Sequence, residues 1–238
     1  MSIDQLLDQR HDLWRGRAVP PAVPRGTPTG FVELDALLPW RGWPPGSLIE
    51  ILDDHPGGGL ALVRPALAEL SREARWLLLV DPPYVPYAPA LASAGLDLSR
   101  LAVVETGGEV AWAAEQGLRS GACAAVLVWG GRWEAAALRR LQLAARSGGA
   151  MALLFRNEAA AREASPAVLR LLVRPSLTGM EVTVHKQRSG RAGAVLDLRI
   201  PGQPQMPLDR PAPSGLACAT AKPKCAPIAT GNARSTRP

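Results

Sequence analysis

The residues whose types and spacing most suggest chemistry lie at 46–60, where an apolar segment runs into a glycine-rich turn and then an apolar helical pattern. This arrangement is typical of a phosphate-binding loop, whose backbone N–H groups surround the phosphates of a nucleotide. Such a loop also needs a lysine for the β- and γ-phosphates and a serine or threonine for Mg²⁺. Gly59 and Leu60 stand at those two positions, and Asp53 and Asp54 add negative charge where phosphate oxygens would lie. We therefore predict no nucleotide cofactor and no metal, and interpret the turn as a degenerate phosphate loop made of Asp53, Gly57, Gly58, Gly59 and Leu60.

The elements that must position this loop alternate between strands and helices. Apolar runs predict strands at Leu48–Leu52, Trp76–Val80, Leu101–Val104, Ala124–Trp129 and Met151–Phe155. Helical periodicity predicts helices at Leu60–Leu70, Ala88–Ala94, Val110–Arg119 and Trp133–Arg146. Strands that are apolar throughout are typical of a parallel sheet covered on both faces. The pattern therefore predicts an α/β fold with a mainly parallel, twisted sheet flanked by helices.

Three more apolar segments follow, and they are short and separated by turn residues. We expect antiparallel hairpin strands that extend the sheet at Leu169–Val173, Met180–His185 and Ala194–Ile200. The predicted domain then covers residues 29–201.

Two different segments flank this domain. Residues 1–16 open with a capping-box pattern and are predicted to form a helical arm, in which Leu6, Leu7 and Trp14 are candidate partner contacts. The arm either packs on its own domain or docks onto another chain. Residues 17–28 are rich in proline and read as a semi-rigid linker. Residues 202–238 combine many prolines with small residues and scattered cations, and are predicted to be a disordered basic tail.

The charge of the chain is concentrated in that tail. The net charge is +6, but residues 207–238 hold five cations and one acid, which leaves about +2 for everything before them. This distribution argues against a large DNA-binding face on the folded domain. Weak DNA contacts would fall on the candidate residues Lys186, Arg188, Arg191, Lys222 and Lys224.

The remaining sequence features indicate an ordinary cytoplasmic protein. The N-terminus carries no signal-peptide pattern, and no apolar run is long enough to span a membrane. Of the three cysteines, Cys123 adjoins an apolar strand and is expected to be a buried small hydrophobe. The other two cysteines lie in the tail without a nearby histidine, so they give no metal-binding pattern.

The order and spacing of these elements resemble the RecA-type ATPase core. The resemblance runs through residues 29–35, 42–51, 80–81, 86–91, 95–101 and 118–121, and covers about 29–155. More narrowly, the chain resembles the ImuA family, the RecA-like accessory proteins of bacterial translesion-synthesis cassettes. The segments that carry this second resemblance are 12–16, 29–40, 83–91, 112–116 and 138–143.

The resemblance to RecA-type ATPases allows the other catalytic positions to be checked. The glutamate that orients the attacking water corresponds to Pro83, and the metal-linked aspartate corresponds to Trp129. Asp81 is a conceivable substitute base, although a strand-end residue that caps a turn is the better reading. Since neither Pro83 nor Trp129 can do the required chemistry, we expect a pseudo-ATPase rather than an enzyme.

The ImuA resemblance implies a role in SOS-induced, error-prone translesion synthesis. It implies an adaptor that contacts ImuB, a polymerase-like protein, and through it an error-prone DNA polymerase and a sliding clamp. Two alternatives stay open. The ImuA group is often labelled as similar to SulA, so the chain is alternatively a cell-division inhibitor of the SulA kind, or else a DNA-binding repair accessory protein.

Overall fold

The computed structural model describes residues 25–55, 58–188 and 192–200. Eight strands in this part form one sheet: β1 Leu48–Leu52, β2 Trp76–Val80, β3 Leu101–Val104, β4 Cys123–Val128, β5 Met151–Arg156, β6 Leu169–Pro175, β7 Met180–Gln187 and β8 Val195–Leu198. The α-helices are α1 Val32–Leu37, α2 Leu60–Leu70, α3 Ala88–Ser93, α4 Val110–Arg119 and α5 Ala135–Gly148. Short 3₁₀ helices cover Leu98–Arg100 and Glu158–Arg162.

The sheet has the strand order β3-β2-β4-β5-β1-β6-β7-β8. The first six strands in this order run parallel, whereas β7 pairs antiparallel with both β6 and β8. The predicted mixed α/β architecture, with antiparallel strands at the end of the domain, is therefore confirmed. Because β1 and β4 both lie beside β5, their carboxyl ends open onto the same edge of the sheet.

The two faces of the sheet carry separate apolar cores. Alternate residues of one strand point to opposite faces, so Ile49 and Ile51 enter one core and Leu48 the other. Helices α1, α2 and α3 cover the first core, and α4 and α5 cover the second. The predicted buried thiol of Cys123 lies at the start of β4, where burial raises its pKa.

Element bounds follow the apolar runs closely, with a few shifts. The predicted helix at 133–146 instead begins at Ala135 and ends at Gly148, where Gly149 adopts a left-handed conformation. It begins later because the Trp133 indole N–H donates to the carbonyl of Gly130 (2.8 Å), within the turn that precedes the helix.

A buried ion pair joins β1 and β6. Glu50 and Arg170 are both buried, and Glu50 Oε2 lies 2.8 Å from Arg170 Nε. Glu50 Oε1 also accepts a hydrogen bond from Ser165 Oγ (2.5 Å). The remaining guanidinium N–H groups of Arg170 donate to backbone carbonyls in residues 160–163. This buried network fastens the segment after β5 to the middle of the sheet.

The predicted arm 1–16, most of the linker and the tail 202–238 lie outside the described residues. Within the described ranges, no helix has both the length and the apolar character that a membrane span requires.

Candidate functional site at the carboxyl ends of the parallel strands

The degenerate phosphate loop follows β1, and the carboxylate of Asp53 packs against the turn at Gly58. Asp53 Oδ1 accepts a hydrogen bond from the His55 backbone N–H (2.8 Å), a donor that in a working loop faces phosphate. The Asp53 side chain is 8% exposed, and its Oδ2 meets no hydrogen-bond donor among the described residues. A methyl group on Gly58 would lie 2.3 Å from Oδ2, so the carboxylate is packed against the turn. Negative charge therefore occupies the inside of the loop.

Gly59 and Leu60 stand where a working loop has its lysine and its hydroxyl. Gly59 is buried, and a Cβ atom there would lie 2.4 Å from Ile51 Cγ2 and 3.4 Å from the Phe155 ring. The close approach of α2 to β1 thus leaves no room for a lysine without movement of the core. Leu60 is half-buried and packs against the same apolar core. Both positions serve packing.

The ends of β4 and β5 are filled by an aromatic pair. Trp129 and Phe155 stack with ring centroids 4.5 Å apart and planes 5° from parallel. Both side chains are buried, and the Trp129 backbone N–H donates to the carbonyl of Val80 (3.1 Å). Trp129 occupies the position that the RecA resemblance assigns to the metal-linked aspartate. An indole offers a donor but no anionic ligand for Mg²⁺, so the arrangement cannot hold the metal in that way.

Asp81 lies directly after β2, and its carboxylate accepts two hydrogen bonds from Thr106 in a neighbouring loop. Its Oδ1 accepts from the Thr106 N–H (2.7 Å) and its Oδ2 accepts from Thr106 Oγ1 (2.6 Å). The residue has a φ of 47°, a left-handed conformation that is uncommon for a side chain larger than glycine. Asp81 is therefore a capping residue, as predicted, but it caps the loop after β3. The prediction had placed the cap in the turn that follows β2.

The candidate nucleic-acid contacts on β7 lie away from this loop. Lys186 Nζ donates to the Ser165 carbonyl (2.6 Å), and burial, followed by the nearby Arg170 charge, lowers the pKa of Lys186. Arg188 follows the strand and is exposed. Gly57, Arg191, Leu6, Leu7, Trp14, Lys222 and Lys224 all fall outside the described residues. The structure thus brings together Asp53, Gly58, Gly59 and Leu60, whereas Lys186, the candidate cation on β7, contacts the carbonyl of Ser165 instead.

Asp54 links the degenerate loop to the segment after β5. Its Oδ1 accepts hydrogen bonds from Asn157 Nδ2 (2.7 Å) and from the Glu158 N–H (3.1 Å). The sequence indicated only that Asp54 adds negative charge to the loop, and it gave no sign of the Trp129–Phe155 stack. Both involve residues far apart in the chain, and the only local signal was an acidic or aromatic residue directly after an apolar strand.

Comparisons with known proteins place this fold among RecA-like structures. No protein-family model matches the chain, and no curated protein matches it. Among solved structures, the RadB recombinase is similar at 16% sequence identity and a TM-score of 0.56, over 71% of this chain and 93% of RadB. SulA from Pseudomonas aeruginosa is 32% identical over 46% of this chain and 97% of SulA, with a TM-score of 0.40.

The two likenesses carry different weight. RadB is too distant in sequence to show more than the fold, which is a sheet of mainly parallel strands flanked by helices. The SulA likeness, at a TM-score of 0.40, supports no statement about the fold or function of this chain. The chain therefore has the RecA-like fold.

Proposed function

We propose that this chain is a RecA-like protein of the DNA-damage response that works through protein–protein contacts and does not hydrolyse ATP. The observation that carries the proposal is the filling of the site at the carboxyl ends of the strands. Gly59, Leu60 and Trp129 occupy it with apolar packing, and the carboxylate of Asp53 lies inside the loop.

The energetic consequence for nucleotide binding is large. A charge-assisted hydrogen bond contributes about 1.5–3 kcal/mol, so the missing lysine alone lowers ATP affinity by roughly one to two decades. The loss of the metal ligands removes the charge neutralisation on which phosphoryl transfer depends. The buried Asp53 carboxylate adds repulsion against a phosphate at the same place.

The proposed task is that of an adaptor in SOS-induced, error-prone translesion synthesis. In this proposal the chain binds an ImuB-type polymerase-like protein, and through it an error-prone polymerase and a sliding clamp. The support comes from the sequence resemblance to the ImuA family together with a RecA-like domain whose catalytic positions serve packing. Such a domain retains its surfaces for partners after hydrolysis is lost.

A second candidate is a SulA-like inhibitor of cell division, because the ImuA group that the sequence resembles is often labelled as similar to SulA. Both functions need only a binding face, so the partner distinguishes them. A DNA-binding accessory role is less favoured, because Lys186 is held by the Ser165 carbonyl and only Arg188 is exposed among the candidate cations in the described part.

The test is reconstitution with defined partners. The tagged full chain is co-expressed with an ImuB-type protein or with the division-ring protein, and the eluates are resolved by gel filtration. We expect a stable complex with the ImuB-type protein that survives removal of Mg²⁺ and nucleotide by chelation and phosphatase treatment. If the chain formed a complex only with the division-ring protein, the adaptor function would be contradicted and the inhibitor function supported. A complex that dissociates when nucleotide is removed would contradict the nucleotide-independent mode of action.

A further inference from the structure

A separate apolar groove lies beside the filled nucleotide site. It runs between α2, the segment Pro82–Tyr87 and the sheet, and its volume is about 420 Å³. The walls are largely aliphatic and aromatic. Residues that line it include Leu60, Leu67, Leu91, Leu127 and Trp129.

The mouth of the groove exposes unusually large apolar side chains. Tyr84, Val85 and Tyr87 are 67%, 88% and 71% exposed, respectively. Contiguous exposed apolar surface of this kind marks an interaction site in soluble proteins. The segment that carries these side chains contains Pro82, Pro83 and Pro86, whose fixed φ angles limit its backbone freedom. The segment that forms this wall of the groove therefore has limited backbone freedom, and its exposed side chains can contact an apolar ligand.

We propose that residues 1–16 of the same chain occupy this groove as an amphipathic helix. Ile3, Leu6, Leu7 and Trp14 recur at intervals of three, four and seven residues, which is the spacing of anchors in helix-in-groove recognition. The acidic residues Asp4, Asp8 and Asp12 recur every fourth position and would form a separate, solvated face.

The position where the described chain begins favours this segment as the occupant. The described residues start at Arg25, and Gly30 lies so close to α2 that a Cβ on it would be 2.3 Å from Pro65 Cβ. The chain therefore enters the domain against α2, one of whose faces forms a wall of the groove, although the contact at Pro65 lies outside the groove lining. A proline-rich segment of eight residues, the length of 17–24, can span at most about 25 Å at roughly 3.1 Å per residue. A helix of sixteen residues adds about 24 Å, enough to follow the groove.

Disulfide trapping in the full chain tests the docking directly. His11→Cys, four residues after Leu7 and three before Trp14 on the proposed helix, is combined with Ala90→Cys in the exposed wall of the groove, or with Ala136→Cys as the matched control. Ala136 is an exposed alanine on α5, which packs on the opposite face of the sheet. Cys218 and Cys225 are changed to serine, while the buried Cys123 is left in place.

We expect the 11–90 disulfide to form within one molecule at least about tenfold faster than the 11–136 disulfide, because docking raises the local concentration of the two thiols. Equal rates for the two pairs would overturn the proposal. An 11–90 disulfide that joins two molecules would overturn it in favour of a second copy as the source of the segment.

Hydrogen exchange of the full chain supplies an independent readout. Trp14→Ala removes a large anchor, and such losses weaken an interface by about thirtyfold or more. We expect faster amide exchange at 60–67 and 84–91 in this variant. Trp112→Ala, which removes an exposed tryptophan from α4, is the matched control and should leave those amides unchanged. Unchanged exchange in the Trp14 variant would also overturn the proposal, whereas it would leave the proposed adaptor function untouched.

Discussion

Replacement of Glu50 by glutamine provides the sharpest test of the buried ion pair in the sheet. The substitution preserves size, removes the negative charge and replaces one of the two acceptor oxygens with an NH2 donor. Glu50 is fully buried, Arg170 Nε lies 2.8 Å from its Oε2, and Arg156 Nη1 lies 3.7 Å from its Oε1. Glu50→Gln therefore leaves two guanidinium groups near one another without their shared anion.

The expected loss in the free energy of unfolding follows from the burial of this pair. Removal of one partner from a buried pair destabilises a protein by about 3–5 kcal/mol. Because glutamine still accepts hydrogen bonds, we expect the lower end, about 3 kcal/mol, in the free energy of unfolding. For a domain of this size that corresponds to a decrease in Tm of about 6–12 °C.

Glu73→Gln is the matched control. Glu73 and Arg75 form a pair of nearly the same length, 2.9 Å, but their side chains are 42% and 36% exposed. Exposed pairs contribute about 0–1 kcal/mol. Urea unfolding of both variants, followed by circular dichroism, gives the two free energies. If Glu50→Gln costs no more than Glu73→Gln, the central role assigned to the buried network is refuted.

Two further predictions concern the loop and the sheet edge. Gly59→Ala should lower the free energy of unfolding by about 1–3 kcal/mol, because its Cβ would lie 2.4 Å from Ile51 Cγ2; an unchanged urea midpoint would show that this contact relaxes freely. Hydrogen bonds from Ser176 and Thr178 lower the pKa of Asp197, so the native carboxylate adds stability that is present above its ordinary pKa and lost as the pH falls through its lowered pKa. Asp197→Asn should thus lower Tm at neutral pH, with the difference from the parent shrinking in strong acid; a difference that is constant with pH would contradict this.

Much of the fold could be predicted because local and global preferences agree along this chain. The bounds of β1, β2 and β3 coincide with the segments predicted for them. The antiparallel end of the sheet also followed from short strands separated by turn residues. In these segments the periodicity of the sequence, the turn chemistry and the burial all point to the same element.

The contacts that define the site could not be predicted in the same way. Glu50 and Arg170 are 120 residues apart, and no residue pattern in either strand indicates that β1 and β6 are neighbours. The same holds for Trp129 and Phe155, whose stacking depends on β4 lying beside β5. Asp53 was recognised as an acidic residue in the loop, but its inward packing depends on the backbone path of the turn. Sequence spacing identified which groups were present, and the sheet order determined what they touch.

The direct test of the central claim is phosphate release from Mg²⁺-ATP by the purified full chain. We predict a rate equal to that of the buffer blank, and no recovery in the double variant Gly59→Lys, Leu60→Thr, because Pro83 and Trp129 still occupy the positions of the water-orienting glutamate and the metal-linked aspartate. Turnover by the unmodified chain that follows the protein peak through gel filtration would contradict the account.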